Sequence, residues 1–225
     1  VDWAVELGFD AVKITLGYGA EAGSEGLVRN EEFIATCRET IGDQRELYVD
    51  CWMSLDVEYS IQLAERLRPY RIGWLEECLL PEDLAGHVEL RKKLPELTLT
   101  GGEHWYSHFM FEWAAKQKVV SILQPDIQWC GGLSAVLEVA TIAEASGVEL
   151  LPHLSARTCF GQHVSVGISA IQRAEYLITT APGIPLGEGP QFPGKVLPSV
   201  GRMSASDAYG FGVEIPDQNL TPYLN

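Results

Sequence analysis

Basic residues are scarce in this chain of 225 residues: 16 lysines and arginines stand against 31 aspartates and glutamates, for a formal net charge of −15. A field of that sign repels phosphate backbones and anionic lipid, which argues against nucleic-acid and membrane-surface partners. Long apolar runs are missing as well. No stretch approaches the roughly 20 residues of a membrane span, and the opening VDWAVELGFD has neither a basic leader nor a signal-like core. Cysteine is sparse: Cys37, Cys51, Cys78, Cys130 and Cys159 are odd in number and contain no C-x-x-C pair. That argues against a disulfide frame and for reduced thiols in a cytoplasmic compartment, most of them small core residues. Three catalytic signatures are also absent: the Gly-x-Ser-x-Gly elbow, the H-E-x-x-H zinc helix and the Gly-x-Gly-x-x-Gly turn, to which GYGAEAG (17–23) does not conform.

What is present is a rhythm. With 46% hydrophobic and 21% charged residues, the composition suits one sizeable globular domain. Short apolar runs, AVKITL (11–16), ELYVDCW (46–52), RIGWLEE (71–77), LTLTGGE (97–103), VVSILQPD (119–126), VELLPH (148–153) and EYLITT (175–180), alternate with longer segments of helical spacing. Asn30 or Ser54 serve as expected helix caps, Pro81 as a first-turn residue, and Gly42 and Gly147 as helix stops. Strict alternation of this kind means a parallel sheet with helices outside it. Seven strands are one short of a closed eight, and the chain opens without methionine inside a helical pattern, so we expect a protein that begins earlier.

Polar residues recur at the strand ends: Lys13, Asp50, Glu76, Glu103, Asp126, His153 and Glu175, at intervals of 22 to 37 residues. One βα unit per interval puts all seven at the same end of the sheet, where α/β barrels carry their chemistry. Asp50, Glu76 and Glu103 come from consecutive strands. Three converging carboxylates repel one another and raise one another's pKa unless a cation joins them, and a hard ion such as Mg²⁺ suits an all-oxygen set better than Zn²⁺ does. Asp126 and His153 end adjacent strands, so the carboxylate can hold the imidazole as an acid/base group. In WLEECL (74–79) the glutamates are adjacent, so on an extended strand Glu76 and Glu77 face opposite sides. His104 and His108 could share a helix face for zinc, but with no third histidine a solvated or supporting role is the plainer reading, and CGG (130–132) reads as a tight turn.

These residues carry a family resemblance. Lys13 followed by Asp, Glu, Glu, Asp and His at the next five strand ends resembles the mandelate racemase branch of the enolase superfamily. VDCWMSLDVEYS, WLEECLLPEDLAGH, TGGEHWYS, LQPDIQWCGGL and the His of LLPH are similar to its acid-sugar dehydratases, the rhamnonate group above all. The resemblance runs from about Val1 to Phe211. It implies a TIM-type (β/α)7β barrel, the C-terminal catalytic domain over residues 1–225, lacking its first strand and the N-terminal capping domain. It makes Asp50, Glu76 and Glu103 ligands of Mg²⁺, His153 with Asp126 the acid/base dyad, and Glu175, when protonated, a hydrogen-bond donor to the substrate carboxylate. The implied reaction removes the α-proton of a sugar acid, stabilises an enediolate and expels the 3-hydroxyl to give a 2-keto-3-deoxy acid. The expected assembly is a homo-oligomer. Lys13-Ile-Thr15 stands where the racemases carry Lys-x-Lys, which disfavours racemisation, and HLSARTCFGQH (153–163) departs from the rhamnonate enzymes, which points to another acid sugar. A metal-dependent hydrolase using His104 and His108, and a non-catalytic relative, are the readings from other classes.

Overall fold

The computed structural model describes residues 1–220. Six parallel strands hydrogen-bond in sequence order, β1 (Ala11–Thr15), β2 (Glu46–Asp50), β3 (Trp74–Glu76), β4 (Leu99–Gly101), β5 (Ile122–Leu123) and β6 (Glu149–Leu150). Helices α1 (Asp2–Glu6), α2 (Gly23–Ile41), α3 (Val57–Leu67), α4 (Leu84–Lys93), α5 (Ser107–Gln117), α6 (Gly132–Ser146) and α7 (Cys159–Gly167) alternate with them. The register aligns the strand ends: Thr15 pairs with Asp50, and Asp50 with Glu76. Two strand ends that carry carboxylates are thereby direct neighbours.

Local chemistry explains where elements begin and stop. In α3, Tyr59, Leu63, Ala64 and Leu67 are buried at helical spacing, and the Asp56 carboxylate accepts the Tyr59 N–H at 2.7 Å as the cap. The expected cap Ser54 lies outside the helix; its hydroxyl is spent on the Cys51 carbonyl. Asn30 is no cap either. Helix α2 opens at Gly23, seven residues earlier than its apolar periodicity suggested, and Asn30 lies within it, donating to the Tyr18 carbonyl at 2.8 Å and the Tyr59 hydroxyl at 3.2 Å. At α4 the cap is Asp83, which accepts from Gly86 N–H at 2.8 Å, so Pro81 precedes the helix. Gly42 and Gly147 end α2 and α6 with positive φ, as expected.

The core has two main bodies between sheet and helices. One joins Leu47, Val49 and Leu75 to Ile34, Leu63 and Leu67; the other joins Leu123 and Leu150 to Phe111, Val136 and Val139. Each such side chain contributes about 1.5–3 kcal/mol by leaving water. Tyr48, Trp74, Ile122 and Leu151 form a third, smaller cluster, in which the Tyr48 and Trp74 rings stack at 3.4 Å. At one edge of the first body the buried Arg38 guanidinium donates to the carbonyls of Tyr70, Gly42, Arg45 and Arg71 at 2.7 to 3.0 Å.

The seventh strand expected at 175–180 is absent: that segment holds no strand. The chain beyond β6 explains why. Pro152 has no N–H for a ladder, Leu154 is left-handed at φ 43°, and Leu154 N–H donates at 2.8 Å to the side chain of Glu175 rather than to a backbone carbonyl. Only Ala156 N–H reaches the Glu175 carbonyl, also at 2.8 Å. Among the described residues no helix is long and apolar enough to cross a membrane.

Candidate active site

Lys13, Asp50, Glu103, His153 and Glu175 line one cavity of about 920 Å³, with Trp52 at its wall. Glu76 lies behind them, fully buried, and Asp126 behind His153. The middle of β1, the ends of β2 and β3, the turns after β4, β5 and β6 and the loop at Glu175 therefore bring together all seven residues that the spacing singled out.

The ammonium of Lys13, from the middle of β1, ties the group. It pairs with Glu76 Oε1 and, at 2.5 Å, with Glu175 Oε1. Burial alone would push the lysine pKa down, but Glu175, Glu76 and Asp50 outweigh it and raise it. The second oxygen of Glu76 accepts from Gln124 Nε2 at 2.8 Å and Trp74 Nε1 at 3.1 Å. Burial pushes the Glu76 carboxyl up to about 7 despite the opposing lysine. Asp50 accepts from Trp52 N–H at 2.8 Å and from the Thr15 hydroxyl at 3.3 Å, and burial raises it above the usual carboxylate range. Thr15, where racemases would carry a second lysine, is thus a partner of Asp50.

Burial pushes the Glu175 carboxyl upward, but Lys13 and His153 outweigh that effect and hold it below the ordinary glutamate value. Asp50, Glu76 and Glu103 all sit above the carboxylate range, as expected, yet the first cause in each is burial and not mutual repulsion.

On the far side, His153 Nδ1 meets Asp126 Oδ2 at 2.8 Å and Nε2 meets Glu103 Oε2 at 3.2 Å. Asp126 is itself fixed by the N–H groups of Gln128 and Trp129 at 2.6 and 3.2 Å. Burial pushes Asp126 up, but His153 and these donors bring it below its usual value. Burial lowers the His153 pKa while Asp126, Glu175 and Glu103 raise it, with a net rise. A carboxylate at Nδ1 places the proton of the neutral ring there and leaves Nε2 as the basic nitrogen, facing the cavity.

Glu77 follows β3 with a left-handed backbone, φ 43°. Its buried carboxylate accepts from Gly102 N–H at 3.4 Å, from His104 N–H at 3.1 Å and meets His104 Nδ1 at 2.5 Å. Among the described residues, the acidic and imidazole group whose ligand atoms all lie within 4.8 Å of one another is Glu77, Glu103 and His104. Asp50 and Glu76, the latter paired with Lys13, do not close to that spacing with Glu103. Sequence reasoning missed this grouping; its one trace is Gly102, where a Cβ would stand 2.6 Å from Phe111 Cε1, so only glycine lets β4 deliver Glu103 and His104 here. His108 is not part of it. It meets Glu138 on α6 at 2.8 Å, while His104 meets Glu77.

The fold and site together are those of a parallel α/β barrel domain that gathers a lysine, carboxylates and a carboxylate-held imidazole at one end of its sheet. The chain belongs to the enolase C-terminal domain-like family, whose model matches residues 1–219. It is 35% identical to an L-rhamnonate dehydratase of Saccharopolyspora erythraea, over 99% of this chain and 58% of that protein. It superposes on the L-rhamnonate dehydratase of Gibberella zeae with a TM-score of 0.88 and 33% identity, covering 96% of this chain and 56% of the other. A structure of the Gibberella zeae rhamnonate dehydratase complexed with Mg gives a TM-score of 0.84 at 32% identity, over 96% and 54%. The chain therefore spans between half and three-fifths of the length of these relatives.

Proposed function

We propose that this chain carries the metal and proton-transfer residues of a Mg²⁺-dependent lyase that dehydrates a sugar acid of the rhamnonate type to a 2-keto-3-deoxy acid. The observation that supports it most is the pair of opposed devices on one cavity: the Asp126–His153 dyad at 2.8 Å and the buried carboxylates around the Lys13 ammonium. The carboxylates fit a hard cation, because they supply oxygen donors only and already accommodate one positive charge, that of Lys13. Asp50, Glu76 and Glu103 would hold Mg²⁺, which supplies Lewis-acid polarisation of the substrate carboxylate.

The protein's own groups account for the rest. His153 Nε2 takes the proton from the carbon next to the carboxylate, and Asp126 keeps the ring oriented and stabilises the imidazolium. Lys13 offsets the negative charge that develops on the carboxylate. The C3–O bond then breaks, and His153 returns its proton to the departing hydroxyl, which leaves as water. The enol that remains becomes the 2-keto-3-deoxy acid. The missing second lysine on β1 leaves the opposite face without a base, which favours elimination over racemisation. We place the protein in the cytoplasm, in keeping with its five free thiols.

The test is a screen of the intact protein with Mg²⁺ against a library of acid sugars, reading 2-keto acid product and exchange of the α-hydrogen with deuterated water. Turnover of at least one acid, with both signals lost in His153→Asn, is expected. Exchange at the wild-type rate in that variant would assign the base elsewhere, and no exchange with any acid would remove the reading.

A further inference from the structure

The dyad of Glu77 and His104 has no part in the chemistry above, yet it is built with the same care as the catalytic pair. Glu77 is 4% exposed and spends its carboxylate on His104 and the adjoining Gly102 N–H. With Nδ1 held at 2.5 Å, the ring is fixed, and among the described residues no hydrogen bond engages its Nε2. Two large indoles flank it: Trp129 at 4.9 Å and Trp52 at 6.2 Å between ring centroids. Both are open to solvent, at 46% and 58% exposure. Trp52 and Met53 are held left-handed in succession, φ 45° and 60°, a conformation that non-glycine residues keep only where their surroundings impose it. That turn places the Trp52 indole on the wall of the cavity that holds Lys13, Asp50, Glu103 and His153. Glu103 stands between the two dyads, 3.2 Å from His153 and with ligand atoms within 4.8 Å of Glu77 and His104.

We infer that Trp52, His104 and Trp129 form a subsite for the part of the sugar acid beyond the reacting carbons. The inference rests on the dehydratase reading and gives it a specificity determinant. A polyol chain has apolar C–H faces and polar hydroxyls at every carbon, and the two needs are met here side by side. The indole faces, negative at their centres, receive the C–H edges. The oriented imidazole offers Nε2 to one hydroxyl, and Glu77 acts as a positioning residue that keeps the ring in place. The acid's carboxylate end is thus bound at Lys13 and the metal ligands, its reacting carbons lie against His153, and its tail extends past Glu103 toward His104.

The experiment uses the intact protein with saturating Mg²⁺ and aldonic acids of four, five and six carbons that share one configuration at the two reacting carbons. It reads kcat/KM for each length and Mg²⁺ affinity by calorimetry. Wild type should gain kcat/KM with chain length. His104→Asn and Trp52→Ala should lose about tenfold on the six-carbon acid, the worth of about one hydrogen bond or packed face, and less than about twofold on the four-carbon acid. Glu77→Gln should show the same length-dependent loss in smaller measure. Equal loss at every length, no loss at all, or a weakened Mg²⁺ affinity in His104→Asn would each overturn the subsite while leaving the dehydratase reading in place. A wild-type protein that turned over none of the acids would overturn both.

Discussion

Replacing Lys13 by methionine keeps the length of the side chain and removes the one cation that Glu76 and Glu175 share. Glu76 would keep its bonds from Gln124 and Trp74, and Glu175 its bond from Leu154 N–H, but two buried carboxylates would face each other with no positive charge between them. Removing one partner of a buried ion pair costs about 3–5 kcal/mol. At about 2–4 °C per kcal/mol for a chain of this size, the melting temperature should fall by about 12 °C. The deficit should depend on pH. Glu76, already pushed up to about 7, has a folded pKa above its unfolded value, so its stabilising contribution is present below the unfolded value and is lost as pH rises through the folded one. Without Lys13 that folded value moves further up, so the variant should lose more stability at pH 8 than at pH 6. Saturating Mg²⁺ should restore part of the difference, because a cation returns to the carboxylates. Urea unfolding of the intact protein and its Lys13→Met variant at pH 6 and 8, with and without Mg²⁺, reads all three effects. A deficit below about 1 kcal/mol, or one that shrinks as pH rises, would refute the reasoning.

Three further outcomes follow from other parts of the molecule. Arg38→Ala strips the donor from four carbonyls at once and should cost about 3 kcal/mol in urea unfolding, with Arg38→Lys recovering only part of it because an ammonium cannot reach four acceptors in a fixed fork. Leu63→Ala, in the middle of the first core body, should cost about 2–5 kcal/mol by leaving a cavity. Asp126→Asn should lower the pH at which activity rises and cut turnover, since burial opposes the charge on His153 and the aspartate is the foremost group that favours it; an unmoved pH profile would remove Asp126 from the dyad.

The seven strand-end residues were legible because a βα unit imposes its own interval on them, and that interval survives in sequence whatever fills the loops. The match in register of Asp50 and Glu76 follows from the same regularity. What escaped the sequence was set by single backbone angles and by distant pairings. The partners of Glu77 were not legible because its left-handed backbone, which brings its carboxylate to His104, leaves no mark in composition. The pairing of Glu175 with Lys13 was not legible because nothing in EYLITT tells of the lysine on β1. The expected seventh strand failed on its partner: EYLITT has a strand-like composition, but the segment after β6 turns away at Pro152 and Leu154 before a ladder can form. Asn30 looked like a cap because the apolar period becomes clear only after it, whereas α2 starts at Gly23 on residues of weak pattern.

The central claim is the identity of the metal ligands, and two groupings compete for it: Asp50, Glu76 and Glu103 at the strand ends, and Glu77, Glu103 and His104 within 4.8 Å of one another. The most direct measurement is calorimetric titration of Mg²⁺ into the intact protein and its Asp50→Asn, Glu103→Gln and Glu77→Gln variants. The account predicts that Asp50→Asn and Glu103→Gln each weaken binding by about tenfold or more while Glu77→Gln stays within about twofold of wild type. Wild-type affinity in Asp50→Asn together with a lost site in Glu77→Gln would contradict it and move the metal to Glu77, Glu103 and His104.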